Sequence, residues 1–396
     1  MMIHNFNFAS IPHLIFGAGK LNELSNIIPN FGKNVLFVIG GSSLKRSGTW
    51  DEIISNMKRS SIEYSSVSVD NEPSPEIVDT IAANYRNKNI DLVIGIGGGS
   101  VTDAGKAISA MIPKKDTIKN YLEGIGTKVH DGEKIPFIAI PTTSGTGSEA
   151  TKNAVISERG SEGFKKSLRH DNLIPNIAII DPELMISCPP SVTAACGMDA
   201  FTQLLEAYVS TNASPMTDAL AYSGMKYMSK NMISACTTGV SDINVRAAMA
   251  YGSLMSGITL ANAGLGIVHG LASPIGGFFD IPHGVVCGTL LAEATKINIK
   301  KLKELGPAGK KGLKKHTQIG ALLSQEKFIG ENEIDKYCSI LIDTLNKWTT
   351  ELNIERLGRY GITTGDVEKI VKNAGLKNNP VNLTKEDIKT LVMNRL

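Results

Sequence analysis

Short, almost wholly apolar runs alternate with amphipathic stretches through the first 187 residues. Asn34–Ile39 is such a run, closed by Gly40, Gly41 and Ser42, and it predicts a buried strand. Residues 50–60 then have helical periodicity, and 62–69 alternate as a strand does. Residues 75–87 are helical again, with a proline in the first turn. The runs 91–96, 136–141 and 176–181 predict three more buried strands. Strands and helices in this alternation predict a parallel sheet covered on both faces, a Rossmann-like α/β domain.

The texture changes near residue 190. Strand-like runs almost vanish, and helical patterns occupy 194–210, 215–230, 241–263, 313–325, 333–352 and 364–374, with a short terminal helix from about Thr384. Cys188, Pro189 and Pro190 form a natural hinge, because two prolines stop a continuing element. The expected division is an α/β domain at 1–187 and an all-helical domain at 188–396. No internal repeat and no low-complexity segment interrupts it.

Composition narrows the function classes. Charged residues are 20% of the chain and hydrophobic ones 42%, with a net charge of +3 and both signs dispersed. That is ordinary globular composition and argues against a nucleic-acid or membrane partner. The densest basic stretches, Lys300, Lys301 and Lys303, then Lys310, Lys311, Lys314 and Lys315, have the spacing of solvated helix faces. Five cysteines, Cys188, Cys196, Cys236, Cys287 and Cys338, contain no CxxC pair and fit a reducing compartment. The first ten residues lack the basic-then-apolar pattern of a leader, and no apolar run reaches the roughly 18–20 residues of a membrane span. A soluble, cytoplasmic protein is expected.

Three places carry candidate chemistry. Gly97, Gly98, Gly99 and Ser100 follow a buried strand and open a helix that contains Asp103 and Lys106. Consecutive glycines allow close backbone approach, and a helix start offers free N–H groups and a favourable dipole to a pyrophosphate. The motif is neither GxGxxG nor a Walker loop, and the bland alternative is a ligand-free tight turn. The second place, from Pro141 through Thr142, Thr143 and Ser144 to Glu149, is a hydroxyl-rich glycine loop, again after a strand. Ligands of open α/β sheets collect at such strand ends. The third lies in the helical part. Asp199 and Gln203 are four apart on one helix face, with Glu206 nearly aligned, and His269 and His283 follow. An acid, an amide and two imidazoles suit a divalent metal, and two satisfied core histidines are the bland alternative.

Taken in order, the strings from Gly97 to Lys106, from Pro141 to Glu149, from Gly197 to Gln203 with Glu206, and His269 with Pro282, His283 and Gly284 resemble the iron-containing (group III) alcohol dehydrogenases. Ile15, Phe16, Gly17 and Gly19 near the start and Asn379 and Pro380 near the end also fit, so the likeness runs from about residue 7 to 396. It implies the dehydroquinate synthase-like fold: a dinucleotide-binding domain, a helical domain that carries metal and substrate, and a cleft between them. It also implies reversible hydride transfer between a small primary alcohol, or its aldehyde, and NAD or NADP, assisted by a divalent metal, and a homodimer or larger homo-oligomer. Carried over by position, Gly97, Gly98, Gly99, Ser100 and Asp103 hold the pyrophosphate and its loop. Thr142, Thr143 and Ser144 contact the cofactor near the nicotinamide, and Lys165 approaches it. Asp199, His269 and His283 are metal ligands and the catalytic centre.

Three positions depart from the family pattern. The fourth ligand, a histidine in the family, is Gln203, a weaker donor to Fe²⁺ or Zn²⁺, so affinity falls or selectivity drifts toward harder ions such as Mn²⁺; Fe²⁺ is the expected metal, Mn²⁺ and Zn²⁺ are the alternatives, and a metal-free enzyme stays open. A further histidine implicated in proton transfer is Ser273, which does not titrate near neutral pH. The acid often found after the first strand is Gly40; Gly40, Gly41 and Ser42 remove a charge that would repel a 2′-phosphate. The rival readings are a metal-independent reductase similar to the maleylacetate reductases and a non-catalytic dinucleotide-binding protein.

Overall fold

The computed structural model describes residues 5–160, 163–326 and 333–396. Six strands form one parallel sheet: β1 His13–Phe16, β2 Asn34–Ile39, β3 Glu63–Ser68, β4 Leu92–Gly97, β5 Phe137–Pro141 and β8 Ile177–Ile180. The order across the sheet is β1-β8-β5-β4-β2-β3. An antiparallel hairpin, β6 Asn153–Glu158 and β7 Phe164–Arg169, stands apart from it.

The apolar runs are buried because the sheet is covered twice. In β2, Leu36 and Val38 join a core with helices α2 (Pro75–Tyr85) and α3 (Gly99–Met111), while Val35, Phe37 and Ile39 face the other way toward α1 (Thr49–Arg59). The same alternation splits Phe137 and Ala139 from Ile138 and Ile140 in β5. Period-2 side chains with no polar face are the signature of a strand buried on both sides.

Beyond residue 188 the described residues contain no strand. The helices there are α4 Pro190–Val209, α5 Pro215–Cys236, α6 Ile243–Ala263, α7 Ile267–Phe278, α8 His283–Glu304, α9 Lys310–Ser324, α10 Ile334–Glu351, α11 Val367–Asn373 and α12 Lys385–Met393. One continuous apolar core joins them and reaches Ala178 and Ile180 of the sheet. Among the described residues no single helix is long and apolar enough to cross a membrane. The Cys188-Pro189-Pro190 junction is gripped by the buried Arg246 of α6. Its Nε donates to Val240 O at 2.7 Å, one terminal nitrogen to Thr193 Oγ1 at 3.0 Å and the other to Cys188 O at 3.4 Å.

Five elements, β1, β6, β7, α7 and α8, were absent from the sequence reading. β1 has only four residues and no clear alternation, and β7 (FKKSLR) is too polar to read as a buried strand. Helix α7 contains Pro274 and three glycines, poor helix formers. It and α8 form because tertiary packing overrides propensity: His269, Leu271, Ala272 and Ile275 of α7 are all buried.

The sheet order places one crevice. From β2 the chain moves outward to β3; from β4 it moves the opposite way to β5. The carboxyl ends of β2 and β4 therefore flank the point where the winding reverses, the usual ligand position in open α/β sheets. Gly40 and Gly41 follow β2, and Gly98 and Gly99 follow β4.

Candidate active site

A cleft of about 1300 Å³ opens at that crevice and runs to the helical part, lined by Gly40, Gly41, Gly98, Gly99 and Thr143 at one end and by Asp199, His269 and His283 at the other. Its glycine end is built by close packing of two loops. β4 ends at Gly97, Gly98 is extended, and α3 begins at Gly99. A Cβ on Gly99 would lie 2.5 Å from Thr146 Cγ2, so only glycine lets the loop after β4 meet the loop after β5. Gly147, with φ 60°, lies so close to α6 that a Cβ would fall 2.4 Å from the Gly257 nitrogen. The free amides at the α3 start face the cleft, where a pyrophosphate gains both hydrogen bonds and the helix dipole.

Buried charges lock these loops together. Lys106 Nζ donates to Ser148 O at 2.8 Å, Ser148 Oγ at 3.1 Å, Thr151 Oγ1 at 3.0 Å and Asn153 O at 2.7 Å. Ser148 Oγ donates to Asp103 Oδ1 at 2.5 Å. Burial pushes Lys106 down to about 8, against the pull of Asp103, and raises Asp103 against the pull of Lys106. Asp103 thus holds its loop through Ser148 as well as lining the cleft.

The other expected nucleotide contacts separate into two groups. Ser100, Thr143 and Lys165 line the cleft. Lys165, on β7, pairs with Glu72, which also accepts from Ser157 Oγ at 2.6 Å. Gly97, Thr142, Ser144 and Ser42 belong to the same loops but are outside the residues that line the cleft. A Cβ on Gly97 would meet Val101 at 2.6 Å, Thr142 N donates to Gly97 O at 2.9 Å, and Ser144 Oγ is turned to Met185 Sδ at 3.0 Å. Ser42 precedes a short helix, Ser43–Arg46. The Ser144 hydroxyl is thus turned into the protein's own packing, while Ser42 is exposed.

At the helical end, α4 presents Asp199, Gln203 and Glu206 on one buried face. His269 of α7 lies between two acids, with Nδ1 2.7 Å from Glu206 Oε2 and Nε2 3.2 Å from Asp199 Oδ1. His283, the first residue of α8, brings Nε2 to 3.7 Å from the same Asp199 Oδ1. Cys287, one turn further along α8, places Sγ 3.6 Å from His269 Nε2 and 3.7 Å from His283 Nε2. The donor atoms of Asp199, His269, His283 and Cys287 all lie within 4.8 Å of one another. A carboxylate oxygen, two imidazole nitrogens and a sulfur at such separations fit a divalent cation.

Burial and mutual charge set which of the four donors hold a proton. Burial alone would raise the Asp199 carboxyl, but His283 and His269 outweigh it and hold it down at about 2. Burial likewise opposes protonation of His269, yet its contacts with Cys287, Asp199 and Glu206 raise it well above the usual histidine range. Burial pushes His283 down to about 4, and it pushes the Cys287 thiol up to about 12. His283 Nδ1 is buried without a hydrogen-bond partner among the described residues.

Gln203 lines the cleft beside Asp199. Its Nε2 donates to Asp199 Oδ2 at 3.2 Å, and its Oε1 accepts from Ser256 Oγ at 2.7 Å. Ser273 lines the cleft one turn after His269, and its hydroxyl donates to His269 O at 3.4 Å. Two groups were passed over in the sequence. Cys287 is four residues after His283, a spacing that puts both on one helix face, and that spacing was its available signal. Glu206 was noted only as a nearly aligned acid, because its role depends on α7.

Comparison with known proteins gives one consistent picture. Residues 12–182 match the model of the family described as iron-containing alcohol dehydrogenase, and residues 193–396 match its C-terminal counterpart. The chain is similar to long-chain-alcohol dehydrogenase 1 of Geobacillus thermodenitrificans, with 33% identity over 99% of this chain and 96% of the relative. It is similar to an NADPH-dependent butanol dehydrogenase of Clostridium saccharobutylicum, with 31% identity over 96% of this chain and 95% of the relative. A crystal structure of an archaeal halo-thermophilic alcohol dehydrogenase from a Red Sea brine pool superposes with a TM-score of 0.90 at 25% identity, covering 100% of both chains.

Proposed function

The chain belongs to the iron-containing alcohol dehydrogenase family, and from that premise we propose that it reduces a small aldehyde, or oxidises the matching primary alcohol, with NAD(H) or NADP(H) and a divalent metal. The observation that carries this reading is that the glycine loops and the Asp199, His269 and His283 cluster line one cleft. The division into a dinucleotide-binding part at 1–187 and a metal and substrate part at 188–396 belongs to the same reading.

The amides at the start of α3, with Gly98, Gly99 and Ser100, bind the pyrophosphate. Thr143 and Lys165 hold the cofactor further along the cleft, with Lys165 oriented by Glu72. Asp199, His269 and His283 hold the cation, and Glu206 fixes the ring of His269 through Nδ1. The nicotinamide supplies the hydride chemistry, and the cation supplies Lewis acidity at the substrate oxygen. Ser273 offers a hydroxyl at the cleft wall but no group that titrates near neutral pH, so proton exchange passes through water in the cleft. Gly40 and Gly41 bring no side chain of their own to the adenosine end, and Asp70 lies beside them. Five unpaired cysteines fit a cytoplasmic enzyme, and a homodimer or larger homo-oligomer follows from the family.

The test is NADH and NADPH oxidation with short aldehydes, before and after chelation and with Fe²⁺, Mn²⁺ or Zn²⁺ restored. Metal-dependent turnover is expected. Turnover untouched by chelation would support a metal-independent reductase, and tight nucleotide binding with no turnover would support a non-catalytic protein.

A further inference from the structure

We propose that the fourth protein donor to the cation is Cys287 and not Gln203, which makes the centre an Asp–His–His–Cys site suited to zinc. The proposal rests on the metal-dependent reading above.

Geometry separates the two candidates. His269 Nε2 and His283 Nε2 are grouped around Asp199 Oδ1, at 3.2 Å and 3.7 Å, and Cys287 Sγ completes the group at 3.6 Å and 3.7 Å from those nitrogens. Bonds of about 2.0–2.3 Å from a cation to oxygen, nitrogen and sulfur in a tetrahedron give donor–donor edges of about 3.3–3.8 Å. Four of the six edges, at 3.2–3.7 Å, are close to that range, and all six are within 4.8 Å. Gln203 meets the other oxygen of Asp199, Oδ2, with its NH₂ group, and an amide nitrogen is no ligand. Its oxygen is held by Ser256, which α6 fixes in place.

Position in the fold supports the same choice. His283 and Cys287 share one face of α8, so one rigid helix delivers two donors at fixed spacing. Asp199, His269 and Cys287 are buried, while the His283 side chain retains 24% exposure and lines the cleft. Substrate therefore approaches the cluster from the His283 side. A thiolate softens the donor set and reverses the drift toward Mn²⁺ that Gln203 by itself implies. On binding, the Cys287 thiol gives its proton to solvent and the sulfur bonds to the cation.

The experiment loads metal-free protein with Co²⁺ and records its near-ultraviolet spectrum. The wild type is expected to show a thiolate-to-cobalt charge-transfer band. Cys287→Ser is expected to lose it, while Gln203→Leu and the distant Cys338→Ser keep it. Competition between Zn²⁺ and Mn²⁺ is expected to favour zinc in the wild type and to favour it at least roughly tenfold less in Cys287→Ser. X-ray absorption of the zinc form needs no variant and is expected to show one sulfur at about 2.3 Å. A wild-type spectrum without the band, a band that survives Cys287→Ser, a band lost in Gln203→Leu, or a zinc shell without sulfur overturns the assignment. Aldehyde turnover without the band sinks only the Cys287 assignment. The band without turnover sinks only the alcohol dehydrogenase reading.

Discussion

Glu206 Oε2 lies 2.7 Å from His269 Nδ1, and Glu206 Oε1 accepts from the backbone N–H of Val268 at 2.7 Å, so one buried carboxylate fixes both the ring and the first turn of α7. With Nδ1 committed to Glu206, the remaining nitrogen of His269 is aimed at Asp199. Partners of this kind set the orientation and basicity of a ligating imidazole. Glu206→Gln keeps the size of the side chain and removes its charge. Metal affinity, measured by competition with a chromophoric chelator, is expected to fall roughly 10- to 100-fold. Unchanged affinity would mean that His269 needs no such anchor.

The contact between Gly99 and Thr146 predicts a specific loss. In Gly99→Ala the new Cβ meets Thr146 Cγ2 at 2.5 Å and pushes apart the two loops that form the nucleotide end of the cleft. Nicotinamide dinucleotide affinity, measured by titration of protein fluorescence, is expected to fall at least roughly tenfold, about 1.4 kcal/mol. Adding Thr146→Ala removes the clashing methyl and hydroxyl and is expected to restore part of the affinity. No restoration would place the cause elsewhere than in this contact.

Glu149 predicts a pH dependence of stability. Burial raises its carboxyl from an ordinary 4.5 to about 7, against the opposing pull of a backbone hydrogen bond and Lys106. Between those values the folded chain binds more protons than the unfolded one, so stability falls as pH rises from 4.5 to 7 and the loss persists above. Its size is on the order of 3 kcal/mol. Glu149→Gln cannot ionise and is expected to melt several degrees above the wild type at pH 8 while matching it near pH 4.5. Parallel melting curves for the two proteins across that range would contradict this.

The glycines after β2 were readable as an absence of acid, but the acid nearest to them comes from another strand. A Cβ on Gly41 would lie 3.5 Å from Asp70 Oδ1, two residues past β3, and Asp70 lines the cleft. A carboxylate there accepts ribose hydroxyls and repels a 2′-phosphate. Asp70→Asn is expected to raise the ratio of kcat/KM for NADPH over NADH roughly tenfold. An unchanged ratio would remove Asp70 from cofactor selection.

Legibility in the sequence followed how local each feature is. Apolar runs such as Asn34–Ile39 name themselves, since a strand buried on both faces contains little else. The glycine loops were legible because backbone approach to a phosphate has few solutions. Helix α7 was hidden by Pro274 and its glycines, which are tolerated only because the packed core holds the helix. Asp199, His269 and His283 were found through an ordered likeness of motifs, not through local pattern. The orientation of the Gln203 amide was not legible at all. It depends on Ser256, 53 residues away, whose hydroxyl meets the amide oxygen only in the folded chain. Cys287 had a local signal, the four-residue step from His283, but nothing in the string distinguishes that from an inert core thiol.

The central claim is hydride transfer between a dinucleotide and a substrate carbon in the cleft shared by the glycine loops and Asp199, His269 and His283. Its most direct test is reduction of a short primary aldehyde with [4-²H]NADH or [4-²H]NADPH, prepared as each C4 epimer, by the metal-loaded protein, followed by mass and NMR analysis of the product. The account predicts one deuterium at C1 of the alcohol from one of the two epimers. Alcohol without deuterium from either epimer, or no alcohol with any of the metals, would contradict it.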